Sequence, residues 1–583
     1  MINHSFTHKA LLFASALSLS ALAAINLETS SKAASNSENT QPVSASYGSY
    51  VDHYQDNQKQ NNQPDTNPAI AIFNNTFSKY WSAANGGTEL NPALLKENLD
   101  KSIEITNNRT QSETVRSYLT DRRDLRYNLI SGLGPFQTAF IKNAAAQTDF
   151  NSYPDSPLPG NSPYSSMTWA SETSKLGDLV KLVDTAENSS WSSTGTPKAY
   201  FQFVRPYRKS TQVSVNPALK NVMADAKQTD FDFPSGHTTG AFETGITLAY
   251  AVPQRFQQLI TRSSEVGYDR VLAGRHSPLA VMGGRVLGTA ITASVLNDPA
   301  NQDLIKKATT EAQSKDLAGD PDKSVKDEFS NYQQNLKDYN YRLTYGFAPI
   351  GDTNKPMVVP KGAEVLLKTR LPFLSDQQRR EVLATTGLPS GYPMGDDTEG
   401  WGRLNLFEAA NGYGKFNDTT TINMDAAKGG FNAKDTFLNN IGGTGSLVKT
   451  GTGSLSLAGD NSYSGGTTVK DGTLQAANRQ ALGTGSVRLS GGTLLANTKK
   501  LVVNGTYSQG NSGTLSESGS NTITISKAAK LNGKLRVTGK QLKANHYLIK
   551  AQKISGKFDH VSIAGGKHWT IDYTKHGVKV VKR

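Results

Sequence analysis

The sequence predicts a multidomain protein in which an all-α helical bundle is followed by a C-terminal right-handed β-solenoid. The chain has 583 residues, too many for one ordinary hydrophobic core. Apolar residues recur at helical spacing between residues 68 and 345, and short Gly-rich strand repeats occupy residues 441–583. A connector richer in Gly, Pro and Asp, residues 346–440, separates the two regions.

The composition excludes several kinds of site. The chain has no cysteine, which excludes disulfides, thiolate metal ligands and cysteine nucleophiles. Its net charge of +13 suits an anionic envelope surface, a phosphorylated substrate or nucleic acid. Charge alone does not choose among these three, and we expect no nucleic-acid partner.

Residues 1–23 have the pattern of a cleaved signal peptide. Lys9 precedes the apolar run ALLFASALSLSALAA, which ends in the small-residue pattern Ala21-Leu22-Ala23. An uncleaved membrane anchor is the alternative, although a span usually needs about 18 or more apolar residues. A later apolar stretch, residues 278–296, is interrupted by Arg285 and by glycines. We therefore expect an exported mature chain without a transmembrane segment, either periplasmic or secreted to the cell surface.

Residues 24–67 are predicted to form a disordered lead-in. Ser, Asn, Gln and Asp dominate this segment, as in QDNQKQNNQPDTNP, and aliphatic residues are almost absent. Such a segment buries too little apolar area to offset the entropy of ordering.

Residues 68–345 are predicted to form the helical domain. The segments KLGDLVKLVDTA and HTTGAFETGITLAYAV space their apolar residues at three and four, which places them on one helix face. In the connector, LSDQQRREVLATTG predicts a further helix. The connector also contains Pro389-Ser390-Gly391, which echoes a motif described below. Tyr392 stands where that motif has a histidine, so we interpret the echo as a coincidence.

Internal repeats predict the β-solenoid. GTGSLVKTG begins at Gly443, GTGSLSLAG at Gly451 and GTGSVRLSGG at Gly483, each joining a Gly-rich turn to a short strand. These repeats closely resemble the passenger-associated repeats of bacterial autotransporters. The resemblance implies cell-envelope or surface contact through the solenoid. An outer-membrane β-barrel would need many more amphipathic strands after the repeats, so we do not expect self-secretion.

Lys198 and Arg205 form the first candidate anion-binding pair, in PKAYFQFVRP. They are seven residues apart, and the spacing predicts two cations on one helix face before Pro206 ends the helix. That arrangement can grip one anion from two sides. A solvated basic stripe is the alternative interpretation of this segment alone.

Ser235, Gly236 and His237 form the second candidate cluster, in FPSGHTTGAF. Ser235 is a suitable N-cap, and Gly236 permits close approach of a ligand to the backbone. The free N–H groups at the start of the following helix would bind an anion. A plain capping turn with a surface histidine is the alternative.

Arg270 and His276 form the third candidate pair, in GYDRVLAGRHSPLAVMGG. Arginine offers a planar fork of donors to phosphate oxygens, and a neutral imidazole can attack phosphorus. Taken alone, this pair could equally be a structural arginine and a core histidine.

Together and in this order, the three segments resemble the signature of the type 2 phosphatidic acid phosphatase (PAP2) superfamily. The resemblance is closer to soluble class A bacterial acid phosphatases than to membrane lipid phosphatases, and it implies a PAP2-type helical bundle. It implies that His276 is the nucleophile that becomes phosphorylated and that His237 protonates the leaving alkoxide. The residues that would hold the phosphate oxygens are Lys198, Arg205, Ser235, Gly236 and Arg270. No metal or other cofactor is required in this scheme, because the cations neutralise the charge.

Two positions depart from that signature. Asp269 replaces the usual serine before Arg270, and Ala280 stands where the family places an aspartate four residues after the nucleophile. That aspartate normally accepts the imidazole N–H and stabilises the imidazolium, like the carboxylate of a serine-protease triad. Its replacement is expected to lower the rate more than substrate binding, unless a backbone carbonyl, a water or a distant acid takes its place, and the sequence does not show which.

The sequence therefore favours an exported phosphomonoesterase that works through a phosphohistidine. A catalytically weakened phosphate-binding or surface-interaction protein is the alternative, motivated by Ala280 and by the repeats. A vanadate-dependent haloperoxidase is a third possibility, because that family shares the same anion-binding residues.

Overall fold

A computed structural model of the chain describes residues 40–539, 542–564 and 566–583. Residues 40–344 are mainly helical, and the α-helices of ten or more residues are labelled in chain order. They are α1 (Pro92–Asn107), α2 (Gln111–Arg122), α3 (Gly177–Glu187), α4 (Gly236–Ala251), α5 (Phe256–Leu272), α6 (Pro278–Asn297), α7 (Gln302–Ala312), α8 (Tyr332–Thr344) and α9 (Asp376–Thr386). Shorter α-helices span Tyr50–His53, Pro68–Ala71, Gln137–Asn143, Gly195–Phe201, Pro206–Lys209, Lys220–Ala224, Leu406–Ala409 and Gly430–Ala433.

The strands follow the helical region, apart from the short antiparallel pair β1 (Trp81–Ser82) and β2 (Thr88–Glu89). The later strands are β3 (Thr419–Asn423), β4 (Lys434–Phe437), β5 (Ser446–Thr450), β6 (Ser454–Leu457), β7 (Thr467–Val469), β8 (Thr473–Ala476), β9 (Val487–Leu489), β10 (Thr493–Ala496), β11 (Lys500–Val503), β12 (Tyr507–Gln509), β13 (Thr514–Glu517), β14 (Thr522–Leu531), β15 (Lys534–Val537), β16 (Tyr547–Gly556), β17 (His560–Ile563), β18 (Trp569–Thr574) and β19 (Gly577–Lys582).

The strands after β2 form a parallel β-solenoid of about six turns. One sheet has the order β17-β15-β13-β10-β8-β6-β4, and the other has the order β18-β19-β16-β14-β12-β9-β7-β5-β3, with β11 pairing β14. Among these strands, the antiparallel pairs are β16 with β19 and β19 with β18, at the end of the second sheet. The predicted fold class, a helical bundle followed by a β-solenoid, is confirmed.

The solenoid begins earlier in the chain than the repeats indicate. β3 already pairs in parallel with β5, and β4 pairs with β6. The predicted boundary at residue 441 is therefore corrected to about residue 419. The repeat motif missed this first turn because its strands lack the GTGS turn signal, although their backbone hydrogen bonds follow the same ladder.

The predicted lead-in also differs from the structure over residues 40–67. The side chain of Tyr50 is fully buried, and its backbone N–H donates to the Glu399 carboxylate at 3.1 Å. The Asn57 side chain donates to the carbonyl of Trp191 at 2.6 Å, and Asn67 caps the helix Pro68–Ala71. Polar composition predicted disorder, but these polar side chains satisfy backbone groups of the helical domain. The predicted signal peptide lies outside the described residues.

Helices α4, α5 and α6 form the centre of the helical domain. Close contact between α4 and α6 depends on two glycines: a Cβ at Gly284 would lie 2.7 Å from the Ser235 carbonyl oxygen, and one at Gly288 would lie 2.3 Å from that of Thr239. The two helix backbones therefore touch beside the start of α4. Among the described residues, α6 is the helix long and apolar enough to cross a membrane, and it is entirely buried within the protein.

The connector joins the helical domain and the solenoid into one continuous hydrophobic core. Arg370 and Asp435, both mostly buried, form an ion pair of 2.8 Å between the connector and β4. The guanidinium of Arg370 also lies 4.2 Å from the centre of the Phe431 ring. In the connector's Pro-Ser-Gly segment, Ser390 Oγ donates to the carbonyl of Asp352 and accepts from the N–H of Lys355. These contacts give Ser390 a structural role.

We predict that Asp435→Asn lowers the free energy of unfolding by roughly 3 kcal/mol, because breaking one partner of a buried ion pair leaves the other charge uncompensated. Asp460→Asn is the matched control, since Asp460 is exposed on the same solenoid. Chemical denaturation of both variants checks the prediction, and equal stabilities would contradict the role given to the ion pair.

Candidate functional site

The three candidate segments converge on His276. The imidazole Nε2 of His276 lies 3.0 Å from Arg205 Nη1. Burial lowers the pKa of His276, and the nearby positive charges of Arg205, Lys198 and Arg270 lower it further. Residues separated by almost 80 positions in the sequence thus share one buried, cationic site.

The predicted placement of Lys198 and Arg205 on one helix is wrong. Lys198 lies in the helix Gly195–Phe201, which ends at Gln202 in the left-handed conformation with a φ of 47°. Arg205 is extended, and Pro206 begins the next short helix rather than ending the first. The two cations meet because the chain turns between them.

Lys198 is held against the segment that precedes α4. Its ammonium group donates to the carbonyls of Phe231 at 2.6 Å and Asp232 at 3.2 Å. Burial, together with the nearby Arg205 guanidinium, lowers the pKa of Lys198 to about 7. A bound phosphate dianion would favour the charged ammonium and reverse this shift.

Arg205 contacts both His276 and the site wall. Its guanidinium donates to the carbonyl of Arg275 at 2.8 Å, to the carbonyl of Asp230 at 3.0 Å, and to the Asp230 carboxylate. Arginine has no acceptor atom, so Nε2 of His276 accepts the bond from Arg205. The imidazole proton therefore lies on Nδ1.

The start of α4 provides the predicted helix cap and the second histidine. Ser235 Oγ accepts from the Thr238 N–H at 3.3 Å, which confirms Ser235 as the N-cap. The side chain of His237 is half-buried, and its ring lies 5.8 Å from the ring of Tyr164. Burial holds the pKa of His237 well below its usual value, and the positive charge of Arg270 lowers it further. The start of α4 is also the positive end of the helix dipole, which favours binding of an anion there.

Asp121 orients two arginines at the site and was not found from the sequence. Its carboxylate accepts from Arg270 at 2.7 Å and from Arg275 at 2.9 Å, and the side chain is fully buried. Burial alone would raise the pKa of Asp121, but the guanidiniums of Arg275, Arg270 and Arg122 hold it well below its usual range. Asp121 lies on α2, far from the motifs in sequence, so motif spacing gives no signal for it.

Asp232 supplies the carboxylate that the family places at position 280. Its Oδ1 accepts from Nδ1 of His276 at 2.8 Å, and both side chains are almost completely buried. This contact has the geometry needed to fix the imidazole tautomer with Nε2 as the free base. The sequence left open which group orients His276 when Ala280 replaces the aspartate, and in the structure that group is the carboxylate of Asp232.

Asp232 is itself fixed by Ser277. The Ser277 hydroxyl donates to Oδ2 of Asp232 at 2.6 Å, and the Ser277 N–H donates to Oδ1 at 3.2 Å. Burial raises the pKa of Asp232 to about 6, while the Arg205 guanidinium and the Ser277 hydrogen bonds oppose this rise. A sequence signal for Asp232 existed only in its position, two residues before Pro234.

The second departure from the signature also has a structural explanation. Asp269 is fully buried, accepts from Arg116 at 2.7 Å and from the Thr120 hydroxyl at 2.7 Å, and lies on α5 beside α2. It therefore links the helix that carries Arg270 to the helix that carries Asp121, and it does not contact the anion site.

The assembled groups can bind a tetrahedral oxyanion and attack it. Cations and helix N–H groups surround a neutral imidazole that has an orienting carboxylate, and a second imidazole stands at the mouth of the site. In the part of the chain that the structure describes, no cluster of three or more His, Cys, Asp or Glu is placed to hold a metal ion.

Comparison with known proteins agrees with this geometry. A sequence model of the PAP2 superfamily matches residues 188–303, which include every candidate site residue. The non-specific acid phosphatase of Salmonella typhi is 30% identical over 140 residues, covering 24% of this chain and 52% of that protein.

The solenoid has relatives of another kind. A model of the passenger-associated-transport-repeat matches residues 447–476. The neisserial autotransporter lipoprotein NalP of Neisseria meningitidis is 33% identical over 130 residues, covering 21% of this chain and 11% of NalP. The adhesin BmaC autotransporter of Brucella suis is 42% identical over 89 residues, covering 15% of this chain and 3% of BmaC. The chain spans about half the length, or less, of these curated relatives.

One match in the helical region and one in the solenoid thus agree with the two architectures seen in the structure. The chain contains a PAP2 superfamily domain at residues 188–303 and, within its β-solenoid, a passenger-associated-transport repeat at residues 447–476.

Proposed function

We propose that this chain is an exported phosphatase that hydrolyses phosphate monoesters through a phosphohistidine at His276. The observation that carries the proposal is the hydrogen bond of 2.8 Å from Nδ1 of His276 to Asp232, which leaves Nε2 facing the cations. The relatives with acid phosphatase activity in their names support the reaction class. The autotransporter-type relatives and the passenger repeat support export, to the periplasm or the cell surface.

In the proposed first step, Nε2 of His276 attacks phosphorus and the bond from phosphorus to the ester oxygen breaks. The phosphate oxygens are held by Lys198, Arg205 and Arg270 and by the N–H groups at the start of α4. Arg205 exchanges its bond to Nε2 for a bond to phosphate. His237 donates its proton to the departing ester oxygen, and Asp232 stabilises the positive charge that forms on His276.

In the second step, water attacks the phosphohistidine. His237, now neutral, accepts a proton from that water, and the bond from phosphorus to Nε2 breaks. Inorganic phosphate leaves with the proton balance restored. The low pKa of His237 in the free protein suits its role as base in this step, and a bound dianion would raise that pKa, which favours its role as acid in the first.

The alternative of a weakened phosphate-binding protein depended on Ala280. Because Asp232 contacts the same imidazole nitrogen that the missing aspartate would contact, this argument for a defective site loses its basis. A vanadate-dependent haloperoxidase would use the same cations, with His276 as the vanadate ligand. Halide oxidation that requires vanadate and peroxide would favour that activity over the phosphatase.

His276→Ala is expected to abolish hydrolysis of p-nitrophenyl phosphate while vanadate still raises the melting temperature, because most oxygen-binding groups remain. His237→Ala should keep part of the activity on this substrate, since p-nitrophenolate needs little protonation. It should lose more on an alkyl phosphate, by about 10²-fold or more. Turnover by His276→Ala would remove His276 from the mechanism. Equal losses of activity on both substrates in His237→Ala would contradict the role of His237 as the acid.

Asp232→Asn is expected to lower kcat by about 10³-fold or more with little change in KM, because loss of an orienting carboxylate elsewhere costs up to about 10⁴ in kcat. Ala280→Asp in the native chain should give no gain, since Asp232 already holds Nδ1. Steady-state kinetics of the two single variants and of the double variant Asp232→Asn/Ala280→Asp check this. A large gain from Ala280→Asp alone would mean that Asp232 does not serve the imidazole.

A further inference from the structure

A cavity of about 430 Å³ opens beside His237. Gly236, His237 and Tyr164 are among the residues that line it, and Arg205 is not. Because His237 is the proposed acid, the oxygen that leaves phosphorus must point toward this residue. The remainder of the leaving group would then extend into the cavity.

Glu243 lies at the wall of this cavity and has an unsatisfied oxygen. Its side chain is 1% exposed, and among the described residues its Oε1 has no hydrogen-bond partner. His237, Gly240 and Glu243 lie on successive turns of α4, three residues apart. A buried oxygen without a partner costs free energy unless a ligand or water satisfies it.

Glu187 stands opposite, at the end of α3. Its Oε2 lies 3.5 Å from Nε of Arg126, and its Oε1 would be 3.0 Å from a Cβ at Gly240. The absence of a side chain at Gly240 therefore leaves room for the Glu187 carboxyl group on this side of α4. Burial raises the pKa of Glu187 to about 7, and burial with the nearby Glu187 raises that of Glu243 well above its usual value.

The rest of the lining is rich in uncharged polar groups. They belong to Asn188, Ser189, Ser192, Ser193 and Thr194, and the lining also includes one further residue of each charge, Arg123 and Asp124. A second cavity of about 410 Å³ lies on the other side of Tyr164 and has a different character, since Arg122, Lys227 and Arg275 line it and His237 does not. The acid His237 therefore serves the carboxyl-lined and hydroxyl-lined cavity.

We propose that this cavity is the leaving-group subsite and that it takes a neutral polyhydroxyl group, such as the sugar or polyol of a phosphate monoester, whose hydroxyls bind Glu243 and Glu187. The proposal rests on the phosphatase function proposed above. A protonated carboxyl group both donates and accepts, as a polyol requires. An anionic leaving group is disfavoured, because its charge would lose hydration beside two buried side chains that become anionic when they lose their protons.

The test compares kcat/KM for glycerol 2-phosphate, phenyl phosphate and 3-phosphoglycerate in the wild type, Glu243→Met and Thr244→Val. Thr244 is the matched control, because it is the next residue of α4 and its buried hydroxyl likewise has no partner among the described residues, yet it does not line the cavity. Methionine has nearly the length of glutamate and removes the polar atoms without opening a large void.

We expect Glu243→Met to lower the ratio of kcat/KM for glycerol 2-phosphate over phenyl phosphate by about 10-fold, the loss expected when a hydrogen bond to a substrate hydroxyl is removed. Thr244→Val should leave this ratio unchanged, and wild type should disfavour 3-phosphoglycerate. An unchanged ratio in Glu243→Met, with phenyl phosphate still hydrolysed, would overturn the subsite but not the phosphatase. Absence of hydrolysis of any ester by the wild type would instead overturn the phosphatase function.

A separate observation concerns the last turns of the solenoid. Residues 499–583 carry 16 Lys and Arg against three Asp and Glu, a formal net charge of +13, which equals that of the whole chain. The helical part and the first solenoid turns are therefore close to neutral in sum. Three acidic residues cannot neutralise this segment, which we name the basic turns.

The cations of the basic turns face solvent on neighbouring strands. Lys530 of β14 pairs in register with Ser555 of β16, and Lys553 of β16 pairs with Ala528. All described lysines and arginines of these turns except Lys579 are exposed; they include Lys527, Lys530, Lys534, Arg536, Lys550, Lys553 and Lys557. Lys527 and Lys530 of β14 and Lys550 and Lys553 of β16 belong to one sheet, whereas Lys534 and Arg536 of β15 belong to the other. Adjacent strands of a sheet lie about 4.8 Å apart, so the four lysines of β14 and β16 form a dense array on one sheet.

We further propose that the basic turns bind a membrane surface that carries anionic phospholipid headgroups. The lysines of β14 and β16 lie on one sheet, which suits contact with a planar layer of headgroups. Each Lys or Arg near such a surface adds to the attraction. The half-buried rings of Tyr547, Trp569 and Tyr573 beside the array suit the boundary between water and lipid. This proposal does not depend on the phosphatase activity.

Co-sedimentation with phosphatidylcholine vesicles, with and without phosphatidylglycerol, tests this proposal on the full chain. One variant removes four charges from the basic turns: Lys527→Gln, Lys530→Gln, Lys550→Gln and Lys553→Gln. The matched control removes four exposed lysines from the rest of the chain: Lys142→Gln, Lys181→Gln, Lys306→Gln and Lys368→Gln.

We expect binding only to the anionic vesicles, loss of binding at high salt, and a loss of about 10-fold or more in the first variant but not in the control. Equal binding to neutral and anionic vesicles, or equal losses in both variants, would overturn the proposal. Tighter binding to a double-stranded DNA oligonucleotide than to anionic vesicles at the same salt would also overturn it, in favour of nucleic acid.

Discussion

The site depends on one constraint: several positive charges must be buried around one imidazole, and other groups of the protein must compensate them. Lys198, Arg205, Arg270 and Arg275 surround His276, and burying unpaired charge is costly. Two buried carboxylates offset this charge at different points. Asp121 forms ion pairs with Arg270 and Arg275, and Asp232 accepts a hydrogen bond from His276. The helical domain brings α2, α5 and the segment before α4 together, so that these carboxylates and cations meet.

This charge balance explains why the two departures from the family signature do not indicate decay. Asp269 ties α5 to α2 through Arg116 and Thr120, and thereby supports the helix that carries Arg270. Asp232 reaches the imidazole from the segment before α4 rather than from α6. The proposed function requires a carboxylate oxygen at the imidazole nitrogen, and more than one position in the chain can supply it.

The fold and the central residues of the site were predictable from the sequence, because periodicity and motif spacing are local signals. Helical spacing located α3, α4 and α9, and the motif order located His276 and its cations. Asp121 and Asp232 were not predictable, because their roles depend on which segments the tertiary fold brings into contact. The helix expected to join Lys198 to Arg205 fails for a related reason. Seven-residue spacing is compatible with a helix, but the turn at Gln202 allows both cations to reach one point.

The contact between α4 and α6 has a consequence for how the site persists as the sequence changes. At Gly284 and Gly288 backbone meets backbone, and the side-chain atoms nearest to a Cβ at these positions are themselves Cβ atoms, those of Thr238 and Phe242. Every residue except glycine carries a Cβ, so changes of side-chain size elsewhere in the core leave these close contacts in place. The distance between the helix that carries His237 and the helix that follows His276 is therefore less sensitive to such substitutions than a distance set by long side chains would be.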